Sequence, residues 1–403
     1  MPHSPEVIVV GGGLMGLATA YHLARDGHRV LLLEARAIGH QEGSSHGPSR
    51  IIRLTYHSED YIVLARAAFE LWGVLGDEAG EQLLVPCGGL DFGPPDATNL
   101  AALGRAMARA GVPYEPVDAA EIRRRFPLLT PPDDAIGFYQ PDYAMLPADR
   151  CLELLAAGAR AAGAELREHE PVLSVSPNGK GVEVRTGSAT YRAARAVLVN
   201  GAWLGPLVAQ LGLRLPLTVL KEQLAYFEPV DPSQFAPGRF PLFIQRFAGS
   251  RTFGSGFPML GEPVGVKLLL DRLGPVVAPD DPDRTIEATT LAQLERYAAE
   301  TVRGLTGRVI AATSCRYTLT PDEDFIIDTH PDHPQIVIAS ACSGHGFKFG
   351  TEIGRILAEL ALGRATGRDL ARFRLGRPSL AGVWQNASSP ELAGPAVQRP
   401  VRT

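Results

Sequence analysis

The chain has 403 residues, 45% hydrophobic and 21% charged, enough for two globular domains with filled cores. A net charge of −5 offers no basic surface for nucleic acid or an anionic membrane, and no apolar run approaches the roughly 18 residues of a membrane span. Four separated cysteines (Cys87, Cys151, Cys315, Cys342) without a CxxC pair speak against zinc and disulfides and for a reducing, cytoplasmic compartment. Residues 1–6 are too short for a signal peptide ahead of the first apolar strand.

In chain order, EVIVVGGGLMGLATAYHLARDGHRVLLLEAR reads as strand, tight turn, helix, strand. Residues 7–10 and 30–33 are continuous apolar runs, as in a buried parallel sheet. Leu17, Ala20, Tyr21 and Ala24 share one helical face, and Gly27 sits where a helix ends. The run Arg123-Arg124-Arg125 reads as a solvated helix end.

A second unit spans 149–205: an alanine-rich helix, three strand-like pieces with an Asn178-Gly179 turn, then RAVLVNGAWLGPL, strand into helix. A third runs from QIVIAS into CSGHGFKFGTEIGRILAELALG, with Ile353, Ile356, Leu357 and Leu360 as the buried stripe and Gly363 as the stop. Residues 82–148 and 216–320 have another texture, rich in proline and short alternating runs.

An α/β design follows. A Rossmann-like nucleotide-binding domain is built from 1–81, 149–215 and 321–385. An α+β substrate domain on an antiparallel sheet is inserted as 82–148 and 216–320, and 386–403 form a loosely held tail.

Gly11-Gly12-Gly13-Leu14-Met15-Gly16 satisfies GxGxxG between a strand and a helix. Gly11 permits the turn, Gly13 lets backbone N–H groups, with Leu14 and Met15, approach a pyrophosphate, and Gly16 lets the helix pack closely. The helix N-terminus favours the phosphates, and Glu34 ends the second strand where a ribose hydroxyl pair would be held. The motif near the N-terminus, with the domain completed near the C-terminus, resembles glutathione-reductase-like FAD enzymes rather than nicotinamide dehydrogenases.

Three further stretches, GSSHGPSRIIR (43–53), TSCRYTLTPDEDFIIDTHP (313–331) and CSGHGFKFG (342–350), resemble the monomeric sarcosine oxidase family. That group of FAD amine oxidases includes N-methyltryptophan oxidase and pipecolate oxidase. The likeness covers about residues 6–375 and implies a monomer that takes a small amino acid and oxygen. It implies that Cys315 carries the flavin covalently, which calls for a thiol of depressed pKa; on its own, Cys315 reads as a small core residue, as do Cys87, Cys151 and Cys342.

The resemblance also implies that Arg53 and Lys348 bind the substrate carboxylate, and that His46 and Arg50 lie against the flavin. Ser45, Gly344, Gly346 and Phe347 then border the cofactor, and Lys267 activates oxygen. Read by themselves, His46, Arg50 and Arg53 are a basic turn, with the two arginines three apart on one helical face. Lys348 alone is a snorkelling lysine, while Lys267 in VGVKLLL is costly without a partner or task. Tyr317 caps the substrate pocket or is core.

Asp271 stands where sarcosine oxidases have a pocket histidine, Ser255 where they have a tyrosine, and Cys342 where they have a phenylalanine. Asp271 is expected to line the pocket and either to pair with Lys267 or Arg246 or to favour substrates carrying an extra donor or cation. The implied activity is oxidation of a secondary α-amino acid, such as sarcosine or another N-methyl or cyclic one, with release of hydrogen peroxide. A flavin dehydrogenase with another electron acceptor, a non-catalytic FAD-binding subunit and a plain NAD dehydrogenase remain alternatives.

Overall fold

The computed structural model describes residues 4–380 and 385–386. Its first sheet has six strands in the order Ile326–Thr329, Ile336–Ser340, Arg195–Leu198, Val7–Val10, Val30–Leu33, Glu165–Arg167. All neighbours run parallel except the outermost, Ile326–Thr329. Both faces are covered, which is why these strands are apolar throughout. Val7 and Val9 pack with the helices Leu14–Arg25, Ala148–Ala161 and Gly350–Ala361. Ile8 and Val10 pack on the other face under a three-stranded layer, Val172–Asn178, Gly181–Thr186 and Thr190–Ala193.

The strand order reverses at Val7–Val10, where Val10 pairs with both Leu33 and Leu198. The carboxyl ends of three strands are therefore level, and a crevice opens at the point where connections diverge to either side.

The second sheet has eight strands, in the order Leu305–Leu319, Thr218–Pro229, Val266–Leu270, Phe253–Phe257, Leu242–Arg246, Gly89–Gly93, Ile136–Gln140, Glu115–Asp118. Every one of them comes from 82–148 or 216–320. Its pairs are antiparallel, save Gly89–Gly93 beside Leu242–Arg246. Leu90, Phe92, Phe227, Phe243 and Leu294 form its core beneath the helix Ala288–Thr301.

A small sheet of Arg50–Ile52, Ala144–Leu146 and Val85–Pro86 ties the segments together. This corrects the helical turn expected around Arg50 and Arg53: the segment is extended. Pro48 disfavours helix in the residue before it, and Ile51-Ile52 is a β-branched pair that suits a strand.

The helix Glu59–Ala79, closed by Gly80 in the left-handed region (φ 66), carries Trp72 into the core with no exposure. Arg123, Arg124 and Arg125 end the helix Ala119–Arg125 as expected, paired with Asp133, Glu121 and Glu115. Gln385–Asn386 pairs with Leu213–Arg214; the rest of the expected tail lies outside the described residues. Among the described residues no helix is long and apolar enough to cross a membrane, and no group of three or more His, Cys, Asp or Glu could hold a metal ion.

Candidate functional site

A cavity of about 720 Å³ begins at the level strand ends and runs to the underside of the second sheet. At its nucleotide end Gly11 turns with φ +109, and a Cβ there would meet the Asn200 backbone at 2.8 Å. A Cβ on Gly16 would fall 1.8 Å from the Gly11 carbonyl oxygen, so the helix can cross the turn only without one. Gly16 itself stays behind the wall, while Gly11, Gly13, Leu14 and Met15 line the cavity. No side chain caps the helix at Gly13, although Leu14 N–H donates to Ser45 Oγ at 3.1 Å. The N–H groups of this helix start carry the partial positive charge that a pyrophosphate needs.

Glu34 lines the same end. Its carboxylate also accepts from the backbone N–H of Gly12 at 2.6 Å and of Arg36 at 2.8 Å, so it fixes the loop as well as facing the cavity. Beyond it, Arg36 lies over the Trp203 ring at 4.5 Å. Trp203 is a cavity residue that sequence reasoning missed; a tryptophan shortly after the Asn200-Gly201 strand-to-helix turn was its signal.

The far end is built from three elements. Cys315 and Tyr317 both line the cavity from one face of the long strand Leu305–Leu319, with Arg316 turned away between them, as strand alternation requires. Arg50 lines it from its short strand, donating to the carbonyls of Ser49 at 3.0 Å and Ser44 at 3.2 Å and lying over Phe347 at 5.6 Å. Phe347 and Lys348 come from a tight turn, Phe347–Phe349, before the helix Gly350–Ala361. Trp72 stacks on Phe347 and donates its indole N–H to the Lys348 carbonyl at 2.8 Å. Gly344, Gly346 and Ser255 also line this end.

Four basic side chains therefore share one chamber: Arg50, Arg53, Lys267 and Lys348. The acids of the lining, Glu34, Glu42 and Asp280, belong to the nucleotide end around Arg36. Lys267 is 3% exposed and donates to Ser49 O at 2.7 Å and Ser49 Oγ at 3.0 Å, over the Phe257 ring. Burial, then Arg50, hold its pKa well below the ordinary lysine value.

Burial, then Arg53 and Arg50, do the same to Lys348, whose ammonium donates to the His345 carbonyl at 2.7 Å. Burial works against the Arg53 charge, yet Tyr143, Tyr56 and Asp91 together hold its pKa above the ordinary value. Arg53 Nε is buried without a partner among the described residues.

At four residues the structure departs from the expectations. The Cys315 thiol is not depressed: burial pushes its pKa up to about 12, with Arg50 opposing. Cys342 is not core, since it is half-buried and lines the cavity. Asp271, though 1% exposed, is not among the cavity-lining residues. Its charged neighbour is Arg272 at 3.3 Å rather than Lys267 or Arg246, because Arg246 is taken by Asp91 at 3.0 Å. His46 is likewise buried outside the lining, and burial, then Arg50, lower its pKa to about 4.

A parallel sheet with a glycine loop at its reversal point, and an antiparallel sheet roofing the same cavity, are the build of a dinucleotide-dependent oxidoreductase whose substrate meets the cofactor between the two. The residues fit FAD in particular: the glycine turn and helix start would face the phosphates, and the basic side chains at the other end would stabilise the negative charge that a flavin ring takes up on reduction. Comparison with known proteins agrees. The chain belongs to the DAO family of FAD dependent oxidoreductases, the match running over residues 6–360.

A monomeric sarcosine oxidase from Streptomyces avermitilis is 36% identical over 375 residues, covering 91% of this chain and 96% of that one. An N-methyl-L-tryptophan oxidase from Salmonella agona is 31% identical, covering 92% and 98%. Among solved structures, NikD, an unusual amino acid oxidase essential for nikkomycin biosynthesis, superposes with a TM-score of 0.82 at 30% identity, covering 92% of this chain and 97% of that one.

Proposed function

We propose that the protein oxidises secondary α-amino acids, sarcosine or another N-methyl or cyclic one, and passes the electrons to oxygen with release of hydrogen peroxide. For sarcosine the other products are glycine and formaldehyde. The observation that carries this reading is the make-up of the far chamber, four basic side chains with no acid among its described lining residues. Burying like charges together is costly, and an anionic substrate relieves that cost.

Arg53 and Lys348 enter from different elements, which suits a carboxylate gripped from two sides, with the guanidinium fixing its plane. FAD, when bound, supplies the two-electron acceptor. With no carboxylate among the described residues lining that chamber to take a proton, the substrate enters as the free amine. The hydroxyls of Tyr317 and Ser255, on two strands of the second sheet, offer it hydrogen bonds. Lys267, fixed by its two bonds to Ser49, is the cation for oxygen; negative charge developing beside it would raise its depressed pKa and hold its proton.

Cys315 is the residue to hold the flavin covalently through its sulfur, a reading supported by its place in the cavity wall and by the C-x-Y-T pattern around it; burial raises its thiol pKa, and Arg50, which opposes that rise, is the group that would favour the thiolate. The test is a peroxide-coupled screen of the purified protein over sarcosine, N-methyl amino acids, proline, pipecolate and glycated amino acids, followed by acid precipitation. Peroxide from at least one secondary amino acid and a yellow pellet are expected, with Cys315→Ala giving a colourless one. Peroxide from none would sink the substrate reading; a colourless wild-type pellet would sink the tether alone.

A further inference from the structure

Behind Arg53 lies a buried polar cluster outside the cavity lining. Asp91 sits in the strand Gly89–Gly93 with no exposure; its neighbours Leu90 and Phe92 face the core of the second sheet, so strand alternation turns Asp91 the other way. Arg53 Nη1 donates to Thr55 Oγ1 at 2.7 Å, and Thr55 Oγ1 donates to Asp91 Oδ2 at 2.6 Å. The Tyr143 hydroxyl donates to the same oxygen, and Arg246 Nη2 donates to Asp91 Oδ1 at 3.0 Å. A threonine hydroxyl has one proton, so bonding it to Asp91 leaves its lone pairs facing the guanidinium. The Tyr56 ring lies against Arg53, 4.4 Å from its central carbon.

We infer that Asp91, acting through Thr55, is a positioning residue for Arg53: it holds one edge of the guanidinium still so that the other can meet a substrate carboxylate. Asp91 is also a buried acid between Arg53 and Arg246, and it offsets one charge while leaving the chamber basic. Arg246 and Tyr143 hold Asp91 in place in turn. The inference rests on the reading that Arg53 binds the carboxylate, and it assigns to the inserted sheet, through Gly89–Gly93 and Leu242–Arg246, the setting of the substrate grip.

The test uses the holoprotein with L-pipecolate as substrate and cyclohexanecarboxylate, which has the acid but no oxidisable amine, as the binding probe followed by the flavin absorption. A hydrogen bond to a charged group is worth roughly ten- to hundredfold in binding. Asp91→Asn and Thr55→Val should each raise the probe Kd and the pipecolate KM by about that factor, with the limiting rate of anaerobic flavin reduction much less affected. Thr55→Ser should restore wild-type values, which a merely structural loss would not allow.

If Asp91→Asn and Thr55→Val lower thermal stability but leave Kd and KM unchanged, the positioning role is wrong. Arg53→Met separates the two levels. If it too leaves probe binding unchanged, the carboxylate reading of the site falls; if it weakens binding while the Asp91 and Thr55 variants do not, only the positioning role falls. Thr55→Val alone decides the matter should Asp91→Asn fail to fold.

Discussion

Lys267 shows how a residue's cost points to its task. A lysine 3% exposed in an apolar strand is held by two hydrogen bonds to Ser49, over the Phe257 ring, with no acid paired to it among the described residues, and burial penalises its charge. Lys267→Met should leave anaerobic flavin reduction largely intact and slow reoxidation by about 10²–10³; stopped-flow mixing with oxygen measures it, and equal rates would refute the role.

Asp271 gives a second prediction, set by sign. Burial raises its pKa from 3.8 to about 8, Arg272 opposing, with Glu222 and Glu323 adding to the rise. A carboxyl whose pKa rises on folding contributes stability that is complete below the unfolded value and is lost as pH climbs through the folded one. Between about pH 4 and 8 the Tm of wild type should therefore fall relative to that of Asp271→Asn. Parallel curves would place the carboxyl in an ordinary environment.

Among the elements, those whose pattern is local were legible. The strands Val7–Val10 and Val30–Leu33, the glycine turn and the helix Gly350–Ala361 follow from runs of fewer than twenty residues, each with its own stop signal. The helix Glu59–Ala79 went unread, although Tyr61, Ala65, Ala68, Trp72 and Leu75 repeat at helical spacing and are buried. Arg50–Ile52 was misread because three-residue spacing between basic side chains outweighed Pro48 and two isoleucines.

Residues behind the site were illegible for a different reason. Thr55 and Asp91 are 36 apart in sequence and Asp91 and Arg246 are 155 apart, and no local pattern encodes a bond of that span. The long helix makes its own prediction. Trp72 has no exposure and packs on Phe347. Trp72→Ala should cost about 3–5 kcal/mol in urea unfolding, and Trp72→Phe only about 1–3 kcal/mol, for the Lys348 carbonyl left without its donor. A loss below about 1 kcal/mol for Trp72→Ala would mean that the helix does not brace the Lys348 turn.

At the scale of the molecule, neither sheet holds the chemistry alone. The parallel sheet brings Gly11, Glu34 and the turn before Gly350–Ala361 to one edge, and the antiparallel sheet brings Lys267, Ser255, Cys315 and Tyr317 over them. Arg50 and Arg53 stand on the segment that pairs with Ala144–Leu146 where the two sheets meet. The cations are thus gathered by the fold from distant points of the chain, and the account stands on what they are gathered for. Anaerobic mixing of the holoprotein with an N-methyl or cyclic amino acid, and separately with its methyl ester, measures this most directly. The acid should bleach the flavin rapidly while the ester, lacking the carboxylate, does so at least about tenfold more slowly at equal concentration; equal rates for acid and ester would mean that Arg53 and Lys348 do not bind the carboxylate.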